Sequence, residues 1–244
     1  MERRTTAWFS ENLSMEMPLV AYGHAGYPLL MFPTAAADYL EYERFHLVDA
    51  IRPYIEHGHI RAYSINSVNR YSLLNEQMPP RLKAELLTRF DRYLTDEVIP
   101  IIRRDTGQEN ARPITTGASL GAFLAANAYF KHPDLFRGTI AMSGSYDVKA
   151  YLHGYYDDNV YFNNPADYLP SLNDNRYLPL LQKADAIFIM SGQGAYEAPE
   201  RSRHLSDILK AKGIPHTLDL WGPDVNHDWP WWRKMLPYCL GKLI

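Results

Sequence analysis

The sequence predicts an α/β fold, a mostly parallel central sheet with helices on both faces, and three observations predict it. Residues 60–65, 138–143 and 186–191 are of strand length and almost continuously apolar, the pattern of strands buried on both sides. Longer segments with helical spacing lie between such runs, and strands that alternate with helices pair in parallel. The chain has 244 residues, 46% hydrophobic and 22% charged, enough for one domain with a core of its own. No repeat, low-complexity tract or linker divides it, so residues 1–244 read as a single domain.

Taken in order, residues 17–22 and 28–32 are expected strands around a turn at 23–26. A helix is expected over 43–56, stopped by His57-Gly58, and a strand over 60–65. Pro79-Pro80 opens an amphipathic helix over 81–104, with Leu82, Leu86, Phe90, Leu94 and Val98 on one face; Asp105-Thr106-Gly107 closes it. A short strand over 113–116 leads to a glycine-flanked serine and a helix over 122–130. Strands follow over 138–143, 186–191 and 216–221, with helices over 199–212, stopped by Gly213, and 229–240. Residues 146–181 break the rhythm: tyrosines are interspersed with Asp and Asn, and no regular period is visible. A long segment of this kind reads as an insert capping a pocket, because tyrosine offers apolar area with a polar tip.

Composition excludes several functions. A net charge of −3 leaves no polycationic face for nucleic acid. The single cysteine, Cys239, forms no intrachain disulfide, so nothing calls for an oxidising compartment. Residues 1–8 lack the apolar run of a secretory signal, and no segment reaches the ~20 apolar residues that cross a bilayer. A soluble, cytoplasmic protein without a membrane partner is expected. Asp157-Asp158-Asn159 lacks the glycine and distant glutamate of a calcium loop, so no metal is assigned, and no cofactor is expected.

The chemistry concentrates at Gly117-Ala118-Ser119-Leu120-Gly121, a G-x-S-x-G pattern between a strand and a helix. Such a turn exposes a serine, and its flanking glycines let strand and helix approach closely. A serine hydroxyl needs a base, and histidine titrates in the right range. Of nine histidines, His227 lies in a loop after the last strand, on the rim where the serine sits. A carboxylate should orient the imidazole. Glu197, after the strand at 186–191, is the first choice and Asp224 the second, with Asp174 a weaker rival. The backbone N–H groups of Leu120 and of Ala35, or else Thr34, are the candidate oxyanion donors. Tyr151, Tyr155 and Tyr161 of the insert, with Trp229, are candidates for a substrate pocket.

The order of elements, the 117–121 motif and His227-Asp228-Trp229-Pro230-Trp231-Trp232 resemble the putative-esterase family of α/β-hydrolases. That family includes esterase D-type S-formylglutathione hydrolases, feruloyl esterase domains and mycolyltransferases. Gly192-Gln193-Gly194 followed by Glu197 is similar to the turn that carries the acid in the mycolyltransferases. The resemblance spans roughly Met15 to Leu240. It implies an α/β-hydrolase fold with the tyrosine-rich insert over the active site. It also implies serine-dependent hydrolysis of small-molecule acyl esters, with Ser119 as nucleophile, His227 as base and Glu197 as acid. Phe32-Pro33-Thr34-Ala35 departs from the His-Gly or Asp-Gly of many relatives at the oxyanion loop. An acyltransferase or thioesterase on the same three residues, or an inactive binding protein of this fold, are the alternatives.

Overall fold

In a computed structural model describing residues 1–244, the apolar runs are strands of one sheet. Strands β1 (Arg3–Ser10), β2 (Met15–Tyr22) and β3 (Tyr27–Phe32) come first, then short helices α1 (Glu41–Arg44), α2 (Leu47–Ala50) and α3 (Arg52–Glu56). Strand β4 (Ile60–Ile65) precedes α4 (Pro80–Tyr93), a π-helical turn at Leu94–Val98, and α5 (Ile99–Thr106). Strand β5 (Ile114–Ala118), α6 (Leu120–Lys131) and β6 (Gly138–Met142) surround the serine. A 3₁₀ turn at Lys149–Leu152 and helices α7 (Asp158–Tyr161), α8 (Pro165–Ser171) and α9 (Tyr177–Gln182) follow. Strand β7 (Ile187–Ser191), α10 (Pro199–Ala211), β8 (Thr217–Leu220) and α11 (Trp229–Leu243) complete the chain.

The sheet order is β1-β2-β4-β3-β5-β6-β7-β8. The pairs from β4 through to β8 are parallel, while β1–β2 and β2–β4 are antiparallel. This is the α/β-hydrolase fold. Alternate residues of each strand feed two cores. Leu30 and Phe32 of β3 join a core with α4, α5, α6 and α10, whereas Leu29 and Met31 join one with α2 and α11. All but the last residue of α6 are buried, because α6 is packed on the sheet and covered again by α8.

Four expectations change. The expected helix over 43–56 is three short helices, since His46 has φ +59° and Pro53 supplies no N–H to continue the ladder. The helix over 81–104 is split by the π-helical turn just before Pro100, whose missing N–H leaves the ladder to reorganise. Strand β1 was not expected at all: its residues Arg3 to Phe9 are mostly exposed, and its order comes from pairing with β2. Segment 146–181 is short helices rather than irregular loop, docked on α4, α6 and α10. Asp157 there caps α7 by accepting the Val160 N–H. No helix of the chain is long and apolar enough to cross a membrane.

Candidate active site

Parallel strands carry their following loops to a common carboxyl rim, and ligands of such sheets bind there. Ser119 follows β5, Glu197 lies in the loop after β7, and His227 in the loop after β8. Main-chain bonds continue the sheet into these loops: Ser119 N–H donates to Met142 O, Ser143 N–H to Met190 O, and Trp221 N–H to Ser191 O.

Ser119 has φ +56° and ψ −123°, a backbone state that L-residues avoid and that costs about 1–3 kcal/mol. Its surroundings enforce it. A Cβ on Gly117 would overlap the Gly121 carbonyl, and one on Gly121 would overlap the Phe32 and Pro33 carbonyls. The glycines therefore permit a crossing of strand, helix and neighbouring loop that no other residue fits. The Ser119 hydroxyl caps nothing in α6 and sits partly exposed on the turn. The N–H of Leu120, first residue of α6, has no i−4 carbonyl within the helix.

The acid and base loops are zipped together. Gly194 N–H donates to Val225 O at 2.8 Å, Ala195 N–H to Asn226 Oδ1 at 2.8 Å, and His227 N–H to Ala195 O at 3.0 Å. Gly192 and Gly194 make this approach possible, because a Cβ on either would strike Val225 or Asn226.

Glu197 is 1% exposed at its side chain and lies 3.6 Å from His227 Nδ1 through Oε2. Ser143 Oγ donates to its Oε1 at 2.6 Å and Ser191 Oγ to its Oε2 at 3.0 Å. Trp232 Nε1 donates in turn to Ser143 Oγ at 3.0 Å, and the Trp232 ring meets the His227 ring edge-on at 5.1 Å. Burial raises the Glu197 pKa, but facing His227, the Ser143 hydroxyl and the Ser191 hydroxyl outweigh it and hold the carboxyl below its ordinary range. The carboxylate is thus charged, buried and aimed at an imidazole. A carboxylate so placed favours one tautomer of the imidazole and stabilises its protonated form.

Ser143, Ser191 and Trp232 were not foreseen as partners of the acid. A signal was present: Met-Ser-Gly occurs at both 142–144 and 190–192, each ending an apolar strand. Asp224 is exposed and Asp228 caps α11 through the Trp229 N–H, so neither takes the place beside His227 that Glu197 holds. Asp174 accepts from the Arg176 and Tyr177 amides, outside this cluster.

Two sets of candidates need correction. The Thr34 N–H donates to Glu41 Oε2 at 2.7 Å and is not free for an oxyanion; Ala35 is the exposed residue next along. The pocket candidates do not share one wall. Tyr151, Tyr155 and Tyr161 pack on the core that holds α6, whereas Trp229 packs on the opposite core, stacked on Phe45. Tyr155 also spends its hydroxyl on Asp157, and Tyr161 turns edge-on to Phe162. Tyr151 lines a cleft of about 320 Å³ with Ser145, Asp147, Glu200, Arg201 and His204, between the loop after β6 and the start of α10. A larger cavity, about 960 Å³, is on the opposite rim around Tyr27, His59 and Arg137.

The family model described as Putative esterase matches residues 83–243. No curated protein matches the chain. Among solved structures, a ferulic acid esterase is similar at 18% identity and TM-score 0.74, covering 99% of this chain and 96% of that one. An S-formylglutathione hydrolase from Staphylococcus aureus is similar at 13% identity and TM-score 0.70, covering 99% and 96%. MPT51 from Mycobacterium tuberculosis is similar at 15% identity and TM-score 0.72, covering 100% and 98%. At these identities the likeness to solved structures concerns the fold.

Proposed function

This chain belongs to the putative esterase family and is by that membership a carboxylic ester hydrolase; on that premise we propose that it cleaves short-acyl esters through an acyl-enzyme on Ser119, His227 and Glu197. Ser119 Oγ attacks the ester carbonyl while His227 takes its proton, and Glu197 holds the imidazole and balances its charge. The oxyanion is received by the N–H groups of Leu120 and Ala35. His227 returns the proton to the departing alcohol, and water then repeats the sequence on the acyl-enzyme.

One observation carries this reading: a buried carboxylate, kept ionised by the imidazole 3.6 Å away and by two serine hydroxyls, on the same sheet rim as a strained serine turn. We assign the acyl group to the cleft of about 320 Å³ at the start of α10, which borders the acid loop and is not itself lined by Ser119 or His227. The insert, as a cap bordering that cleft through Tyr151, would limit chain length. Turnover of p-nitrophenyl esters tests both parts. Ser119→Ala is expected to lose at least about 10⁴-fold in kcat with an unchanged fold, and wild-type turnover to fall steeply beyond butyrate. Near-wild-type turnover by Ser119→Ala removes the serine from the reaction; an optimum at long chains removes the short-acyl assignment.

A further inference from the structure

Where β3 leaves the sheet, two main-chain groups lose their ladder partners. β3 and β5 run parallel with Phe32 opposite Gly117, and Pro33, which has no N–H, ends the pairing. Past that point the chain peels away as loop 33–40 while β5 continues to Ala118. The Phe32 carbonyl and the Ala118 N–H are left facing a gap between the strand ends. A buried backbone group without a partner is strongly disfavoured.

The hydroxyl of Tyr42 fills the gap. It accepts from Ala118 N–H at 3.2 Å and donates to Phe32 O at 2.5 Å, and the residue is 0% exposed. One of these groups immediately precedes the serine and the other begins the oxyanion loop. The neighbouring residue acts on the same loop. Glu41, 5% exposed, accepts the Thr34 N–H at 2.7 Å and the Thr34 hydroxyl at 2.5 Å. Burial raises the Glu41 pKa, offset in part by the two Thr34 hydrogen bonds, so the carboxyl is retained in an environment that disfavours its charge. Neither residue is among the groups assigned above to the reaction itself. Both fix the relative placement of loop 33–37 and the serine turn.

Resting on the reading of Ser119 and Ala35 given above, we propose that Glu41 and Tyr42 are positioning residues for the oxyanion site. Glu41 takes the Thr34 amide out of use and fixes the loop so that Ala35 N–H is the donor presented. Tyr42 sets the spacing between that donor and Leu120 N–H by joining the two strand ends. Two donors assembled on separate loops stabilise an oxyanion only if their separation is fixed before reaction, and loss of one typically costs 10²–10³-fold in kcat.

The test compares kcat and KM for p-nitrophenyl acetate in Glu41→Ala, Glu41→Gln, Tyr42→Phe and Ser119→Ala, each normalised to folded protein by circular dichroism. Glu41→Ala is expected to lower kcat by about 30-fold or more with KM within about threefold, because the deficit lies in the transition state. Glu41→Gln should recover most of that loss: its carbonyl can accept Thr34 N–H and its amide can donate to Thr34 Oγ1. Tyr42→Phe, which removes one oxygen, should lower kcat about tenfold at similar KM. The proposal is overturned if Glu41→Ala and Tyr42→Phe keep wild-type kcat per folded molecule. It is also overturned if Glu41→Gln is as impaired as Glu41→Ala, which assigns the effect to charge. Should Glu41→Ala not fold, Tyr42→Phe decides alone. If Ser119→Ala keeps turnover, the reading of the site fails and this proposal fails with it; a dead Ser119→Ala beside fully active Glu41 and Tyr42 variants sinks the proposal alone.

Discussion

Glu197 shows how a single side chain is held ready. Removing a carboxylate from water raises its pKa, and only specific donors reverse that. Here the imidazole of His227 and the hydroxyls of Ser143 and Ser191 reverse it, so the folded state holds Glu197 below its usual 4.5. A group with a depressed folded pKa stabilises the fold fully above its unfolded value, and that contribution is lost as pH falls through the folded one. The stability of wild type to chemical denaturation should therefore fall on acidification below about pH 4.5, and Glu197→Gln should show a shallower decline. Equal slopes would mean that Glu197 is not held ionised by its partners. In kinetics, Glu197→Gln should keep the fold and lose about 10²–10⁴-fold in kcat, because a neutral amide neither fixes the tautomer nor balances an imidazolium. The residue itself was legible in the sequence from its place after an apolar strand. Its hydroxyl partners were not: Ser143 is brought to it by the pairing of β6 with β7, and Ser191, six residues ahead at the end of β7, reaches it through the turn of the loop.

At the level of elements, the rigidity of the rim depends on close approaches that admit no side chain. A Cβ on Gly192 would collide with the Val225 carbonyl, part of a backbone that cannot move without unzipping the two loops. Gly107 offers a contrast, with φ +67° at the end of α5 and nothing within 4 Å of its added Cβ. Gly107→Ala should thus cost only its backbone strain, about 1 kcal/mol. Gly192→Ala should cost about 2 kcal/mol or more and also lower kcat by displacing His227. Urea midpoints and kcat of the two variants check this; equal effects would contradict the packing argument. Elements with a continuous apolar run or a clear stop were readable, as at β6, β7, α10 and Gly107. Those missed are ruled by other forces. The partly polar β1 is held by its partner strand, and Pro53 and Pro100 interrupt helical periods that apolar spacing alone would carry through.

Across the whole molecule, three side chains spread over more than a hundred residues reach one rim because β5, β7 and β8 are parallel and close in the sheet. Fold class was therefore readable from alternation alone, while the floor and walls of the site were not. Trp229 and the insert tyrosines sit on opposite cores, a consequence of which sheet face each helix covers. The account rests on Ser119 being the reactive group of that rim. Incubation with a fluorophosphonate probe, followed by peptide mapping in a mass spectrometer, tests this directly. The expected result is a single adduct on Ser119, absent in Ser119→Ala and formed far more slowly in His227→Ala. A folded protein that takes no label, or takes it on another residue, would contradict it.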